Sequence, residues 1–95
     1  VVEIGGWNIS GSLLKTISGL PSGVSLSKII GAKVLIQNDI NHKYTDVEIA
    51  SNGSLELDIS ENGFTLEIHE RSQANWNGFI STTINRGWIL LDVLP

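Results

Sequence analysis

The stretch LELDISENGFTLEIHE, residues 55–70, decides the fold of this chain. In both halves of the stretch, apolar residues alternate with carboxylates or hydroxyls. This period of two is typical of half-buried β-strands, whose successive side chains point to opposite faces. Between the halves lies Glu61-Asn62-Gly63, and an Asn-Gly pair supplies the positive φ that a tight hairpin turn needs. The stretch therefore predicts a β-hairpin, with Glu56 and Glu67 facing each other across it.

Segments of the same kind lie on both sides of the hairpin and predict an all-β chain. Isoleucine, valine and threonine dominate the positions that can face an interior, and β-branched side chains favour a pleated surface over a helix. A single short helical turn is expected at most, within residues 24–30. The 95 residues suit one domain, 1–95, folded as an antiparallel β-sandwich of six to eight short strands. The expected strands are residues 2–4, 13–18, 33–37, 44–49, 55–59, 64–70, 79–84 and 88–93.

Two of these strands are apolar on both faces, over residues 34–36 and 89–91. A monomeric sandwich of this size has one core and solvent-exposed outer faces. Strands that are apolar on both faces therefore indicate a second buried surface. We expect that surface to be a subunit interface containing Leu35, Trp88 and Leu90. The alternative is that the two strands are central and covered by loops. Trp7 and Trp88 are expected to be packing residues rather than platforms for a ligand.

Composition argues against several functional classes. The net charge is −4 and the six Lys and Arg residues are scattered, which does not suit a nucleic-acid partner. No apolar run approaches the roughly 20 residues of a membrane span. Cysteine is absent, which excludes disulfides and thiol chemistry and favours an intracellular, bacterial or viral product. Methionine is also absent and the sequence starts at Val1, so we expect a processed form or an excised piece of a longer protein.

Catalytic and metal sites are not expected. His42 lies in a polar turn and His69 on the polar face of the hairpin, with no nucleophile motif around either. Solvated carboxylates on a strand surface, such as the predicted pair in the hairpin, make poor general acids or bases. Residues 39–41 and Asp46 offer oxygen ligands for calcium, but their spacing matches no EF-hand loop, and Asp and Asn also favour turns. We therefore predict no enzyme activity, no metal and no cofactor.

A polar segment carrying a tryptophan, residues 72–78, is the candidate ligand site. An exposed indole stacks on the apolar face of a sugar ring, and neighbouring amides can satisfy its hydroxyls. Asn75, Trp76 and Asn77 suit that chemistry and are the expected ligand-binding residues. The alternative is that Trp76 closes one end of the sandwich.

Three short motifs, in order along the chain, carry a resemblance to a known family. IGGWNI (residues 4–9) resembles the "IGDWNM" start of small domains in bacteriophage tail-fibre and receptor-binding proteins, with Gly6 where that family usually has Asp. KIIGAKVLIQND (28–39) is similar to the "KIRSVSVIIRND" strand of those domains. NRGWI (85–89) matches the "NRGWI" motif at their C-terminal end. The layout also resembles that of H-type lectins, which are trimeric six-stranded β-sandwiches that bind sugars.

The resemblance implies a virion component that is trimeric and contacts a polysaccharide of the host cell surface. It implies location in the virion, as part of a tail fibre or surface appendage; the alternative location is extracellular or on a cell surface. It implies no enzyme activity; the shortness of the apolar runs argues against membrane insertion. A second hypothesis is a purely structural virion part, such as a fibre spacer, trimerisation cap or capsid decoration protein, with no ligand of its own.

Overall fold

A computed structural model describes residues 1–9, 13–38, 42–47, 49, 55–68 and 85–95. Within these residues the chain forms two antiparallel β-sheets and a single short 3-10 helix, which confirms the all-β fold and is consistent with a sandwich. The bounds are β1 Val2–Glu3, β2 Leu14–Ser18, the 3-10 helix Leu26–Lys28, β3 Ile29–Gln37, β4 Tyr44–Val47, β5 Glu56–Ser60, β6 Gly63–Glu67 and β7 Gly87–Val93.

The larger sheet has four strands in the order β1-β7-β3-β4. Its centre is the pairing of β3 with β7, which runs from Ile29 opposite Val93 to Ile36 opposite Gly87. The predicted two-sided strands are therefore the two central strands of this sheet. The strand predicted over residues 33–37 begins earlier, at Ile29, because β7 is long enough to pair with β3 from Ile29 to Ile36, apart from a bulge between Ile29 and Gly31.

The smaller sheet has three strands in the order β2-β6-β5 and contains the predicted hairpin. Glu56 pairs with Glu67 as expected, but the details of the turn differ from the prediction. Because Ser60 pairs with Gly63, the two central turn residues are Glu61 and Asn62. The positive φ, 124°, falls on Gly63 at the first position of β6. The Asn-Gly pair therefore predicted where the chain turns, but the two central residues of the turn lie one position before that pair.

The core lies between the inner faces of the two sheets. Val34, Ile36 and Ile89 line it from the larger sheet, and Phe64 and Leu66 from the smaller one, each at 2% exposure or less. Burying each such side chain contributes about 1.5–3 kcal/mol by removing apolar surface from water. The other buried members of the core are Ile4, Trp7, Ile9, Val47, Leu55 and Ile68.

Two expectations about tryptophan and the helical turn are met. Trp7 is buried in the core at 3% exposure, as predicted for a packing residue. The helical turn expected within residues 24–30 is the 3-10 helix Leu26–Lys28, which buries none of its residues. The strand expected over residues 79–84 lies outside the described residues. Among the residues that are described, no helix is long and apolar enough to cross a membrane.

Candidate functional site

The outer face of the four-stranded sheet is the candidate site, and strand alternation creates it. Val34, Ile36 and Ile89 point into the core, so the residues between them point outward. We use "outer face" for the residues whose position in the strand register puts them on this side of the sheet. They include Glu3, Lys33, Leu35, Gln37, Tyr44, Arg86, Trp88, Leu90 and Asp92, and Lys33 lies directly opposite Leu90.

The three residues predicted to form a subunit interface are neighbours on the outer face. Leu35 lies directly opposite Trp88 in the β3–β7 pairing, and Leu90 is the next outward residue along β7. All three are half-buried within a single chain. Directly opposite side chains in an antiparallel pair have Cβ atoms about 4.5–5.5 Å apart, and diagonal neighbours are within reach of long side chains, so the trio forms an apolar strip with Lys33 beside Leu90. That the strip is an interface stays a prediction.

An ion pair borders the apolar strip. The guanidinium of Arg86 donates a hydrogen bond from Nη2 to Oε1 of Glu3, and the two side chains are each 46% exposed. This hydrogen bond, followed by the negative charge of Glu3, raises the pKa of Arg86 above its ordinary value. The guanidinium carbon lies 5.8 Å from the centroid of the Trp88 ring, within the range of a cation–π contact. Glu3 thus holds the cation of Arg86 over the indole.

The corner before β7 determines how closely the strands approach. Gly87 has no room for a side chain, since a Cβ there would lie 2.5 Å from the carbonyl oxygen of Leu35 and 3.1 Å from Cδ1 of Ile4. The Ile4 N–H donates to the Gly87 oxygen, and the Gln37 N–H donates to the Arg86 oxygen, each at 2.8 Å. Residues from the three motifs of the family resemblance therefore meet at this corner. Any larger residue than glycine would separate β7 from β3.

Asn85, at the start of the same corner, is buried at 1% exposure. Neither its Nδ2 nor its Oδ1 has a hydrogen-bond partner among the described parts of the chain. A buried amide without a partner costs about 1–3 kcal/mol. Asn85 is therefore a polar group whose burial weakens the fold unless a partner satisfies it.

The opposite surface of the molecule, the outer face of the three-stranded sheet, is polar apart from the exposed Leu14. It carries the Glu56–Glu67 pair and a groove of about 270 Å³ around Gly63. Hydroxyl and amide side chains line this groove, among them Thr16, Ser60 and Asn62. No nucleophile, base and orienting group converge there among the residues that the structure describes, and the same residues contain no group of three or more His, Asp or Glu side chains able to hold a metal.

The remaining sequence predictions fall partly outside the described residues. Asn75, Trp76 and Asn77, the expected glycan-binding residues, lie outside them, as do His69 and residues 39–41 of the calcium alternative. His42 is an exposed turn residue with a φ of 59°, and its N–H donates to the carbonyl oxygen of Asn38 at 2.8 Å. This confirms its interpretation as a loop residue.

Sequence reasoning missed the Glu3–Arg86 pair and the contact of Arg86 with Trp88. The two charged residues are 83 positions apart, and only the pairing of β1 with β7 brings them together. Arg86 and Trp88 are two positions apart, so in a strand they lie on the same face of the sheet. That spacing could have predicted the cation–π contact. Comparison with known proteins found no matching family model, no matching curated protein and no matching solved structure.

Proposed function

We propose that this domain is a non-enzymatic, homo-oligomeric adhesion module of a bacteriophage fibre, whose subunits associate through the outer face. The observation that carries the proposal is the apolar strip of Leu35, Trp88 and Leu90. Isolated exposed apolar residues are common on protein surfaces, whereas contiguous apolar strips rimmed by polar groups mark interaction sites. Here the rim includes Glu3 and Arg86, which is the arrangement of a hydrophobic interface centre with a charged border.

Symmetric association suits a strip of this shape. Homo-oligomers bury the same residues of every subunit, so the strips of two subunits can meet at a two-fold axis, or the strips of three subunits at a three-fold axis. A stable interface needs roughly 800 Å² from each partner, more than three side chains supply, so the outer face as a whole would take part. The resemblance to fibre domains favours three subunits. Contact with a host surface polysaccharide is proposed for Asn75, Trp76 and Asn77.

The oligomer is tested by measuring mass in solution. Native mass spectrometry and light scattering should give three times the 10.3 kDa of one chain. Leu35→Gln and Leu90→Gln should shift the mass toward the monomer, because each places an amide in the interface centre. Leu14→Gln is the matched control, since Leu14 is 50% exposed on the other sheet. A monomeric parent protein, or equal masses for all three variants, would rule out the outer face as the interface.

Glycan binding is tested separately from assembly. A host polysaccharide array probed with the assembled protein should give signals that Trp76→Ala abolishes and that Leu14→Gln leaves intact. A stable oligomer that binds no polysaccharide would instead support the purely structural virion part. Binding that survives in Trp76→Ala would move the ligand site away from residues 75–77.

A further inference from the structure

The hairpin turn between β5 and β6 carries a reactive pair of residues. Of the three Asn-Gly pairs in the sequence, the pair at 62–63 lies among the described residues. The backbone nitrogen of a glycine attacks the side-chain carbonyl carbon of a preceding asparagine more readily than any other residue does, because glycine has no Cβ to hinder the approach. Here the nucleophile is the nitrogen of Gly63 and the electrophile is Cγ of Asn62. Asn62 is exposed, so water reaches its amide group.

The reaction of this pair needs only water. A bond forms between the nitrogen of Gly63 and Cγ of Asn62, and the bond between Cγ and Nδ2 breaks. The departing nitrogen takes up the proton of the glycine N–H and leaves as ammonia. Water then opens the succinimide ring at one of its two carbonyl carbons. Opening at Cγ gives aspartate with the original backbone, whereas opening at the main-chain carbonyl gives isoaspartate, whose backbone runs through Cβ and Cγ.

The closed hairpin holds the nucleophile away from the reaction. The Gly19 N–H donates to the oxygen of Asn62 at 2.8 Å, so this carbonyl points toward β2. The N–H of Gly63 belongs to the same trans peptide group and points the opposite way, toward Ser60, its partner in the β5–β6 pairing. Ring closure therefore requires an opened turn, in which Gly63 has left Ser60 and Asn62 has left Gly19.

The two products differ in the length of the backbone at the turn. Aspartate keeps the original chain, whereas isoaspartate inserts one carbon before the peptide bond to Gly63. Gly63 has little space to shift toward β2, because a Cβ on it would lie 2.1 Å from the Ile17 oxygen and 2.7 Å from the Gly19 nitrogen. On its other side the turn is held by the Asn62 N–H, which donates to Oγ of Ser60 at 3.1 Å. A lengthened turn cannot keep all of these contacts.

We propose that Asn62 is a modification site, at which conversion to isoaspartate separates the end of β2 from the hairpin. Conversion to aspartate leaves the three-stranded sheet intact, since it changes only an exposed side chain. The reaction is slow in the folded protein because it proceeds through the opened turn, and the loss of ammonia makes it irreversible. The site lies in the sheet opposite the outer face and does not depend on self-association.

The first test follows the reaction in the whole protein. The parent protein is kept at 37 °C and mildly alkaline pH, either folded or unfolded in guanidinium chloride. Mass spectrometry with electron-transfer fragmentation then locates aspartate and isoaspartate at position 62. The folded protein should react about tenfold to a hundredfold more slowly, because at least two hydrogen bonds must break first. Asn62→Gln is the matched control and should give no isoaspartate there, since its longer side chain disfavours ring closure.

The second test compares the two products directly. Chemical synthesis gives the 95-residue chain with either aspartate or isoaspartate at position 62, and these two proteins have the same mass and charge. Isoaspartate should lower the melting temperature by about 4–8 °C, the shift expected for the loss of one hydrogen bond from a domain of this size. It should also speed hydrogen exchange at the amide of Gly19, while amides between β3 and β7 keep their protection. Aspartate should change neither measurement.

Three results would overturn the proposal. No isoaspartate at position 62 in the unfolded chain would remove the site, and equal rates in the folded and unfolded protein would remove the role of the closed turn. Equal melting temperatures and equal protection of Gly19 in the two synthetic proteins would mean that the turn accommodates the added carbon. Loss of protection throughout both sheets, or failure of the isoaspartate protein to fold, would contradict a separation confined to β2.

Discussion

Replacing Gly63 by alanine should destabilise the domain more than alanine at Gly23 or Gly87. Gly63 has a φ of 124°, which L-residues rarely adopt, and a Cβ there would lie 2.1 Å from the carbonyl oxygen of Ile17 and 2.7 Å from the nitrogen of Gly19. Both neighbours are backbone atoms, so a side-chain rotation cannot relieve the overlap. The end of β2 would have to move away from β6.

Three contributions set the expected magnitude. Backbone strain at this φ costs about 1–3 kcal/mol. Moving β2 breaks the hydrogen bond from the Gly19 N–H to the Asn62 oxygen, for about 1 kcal/mol more. Loosening the packing of Ile17 against the core adds about 1 kcal/mol. The sum is about 3–5 kcal/mol, a large part of the roughly 5–15 kcal/mol that stabilises a small domain.

Alanine substitutions at two other glycines measure the costs of backbone strain and of steric overlap separately. Gly23 has a φ of 80° and open space around it, so Gly23→Ala carries strain alone, about 1–2 kcal/mol. Gly87 has no positive φ but would place a Cβ 2.5 Å from the Leu35 oxygen, so Gly87→Ala carries overlap alone, about 1–3 kcal/mol. Urea unfolding followed by circular dichroism gives all three free energies, provided that the slopes agree.

The expected order is therefore Gly63→Ala first, with Gly87→Ala and Gly23→Ala both well below it. A free energy for Gly63→Ala no larger than that for Gly23→Ala would refute the close approach of β2 to the hairpin. If only Gly87→Ala lowered the free energy of unfolding, the close backbone contact would exist in the four-stranded sheet but not in the three-stranded sheet.

Three further predictions concern the core and the corner. Leu66→Ala should lower the free energy of unfolding by about 2–5 kcal/mol, measured by urea titration, because Leu66 is fully buried. Asn85→Leu should leave the melting temperature unchanged or raise it, since it removes buried amide atoms without a described partner; a clear drop would reveal a partner. Glu3→Ala should hardly change the melting temperature, because exposed ion pairs contribute little, yet should move the indole NMR signal of Trp88 as Arg86 loses its hydrogen-bond acceptor; an unchanged signal would contradict the cation–π contact.

Local pattern predicted much of the fold because strand alternation is a property of neighbouring residues. The hairpin of β5 and β6 follows from the period of two in residues 55–68, and the same alternation puts Glu56 and Glu67 on one face of the sheet. The positive φ falls on Gly63, within the predicted Asn-Gly pair, but the central turn residues are Glu61 and Asn62, one residue earlier than that pair. The composition of a turn does not reveal which pair of residues closes it, whereas the strand pairing on either side does.

Part of the candidate site followed from the sequence as well. Residues 34–36 and 89–91 are apolar on both faces, which predicted that Leu35, Trp88 and Leu90 belong to a second surface. Their adjacency did not follow, because it depends on the register between β3 and β7. A shift of that register by one residue would turn one of the strands over.

What the sequence determined by itself is the all-β class, the hairpin and the two strands with a second apolar face, since each depends on side chains a few residues apart. Only the tertiary structure decided which distant segments meet. It brought Glu3 to Arg86 across 83 positions and closed the corner around Gly87. These features arise because burying the core selects one long-range pairing of β1, β3 and β7. The free energy that favours this pairing comes from contacts throughout the interior, so no single segment of the sequence predicts it.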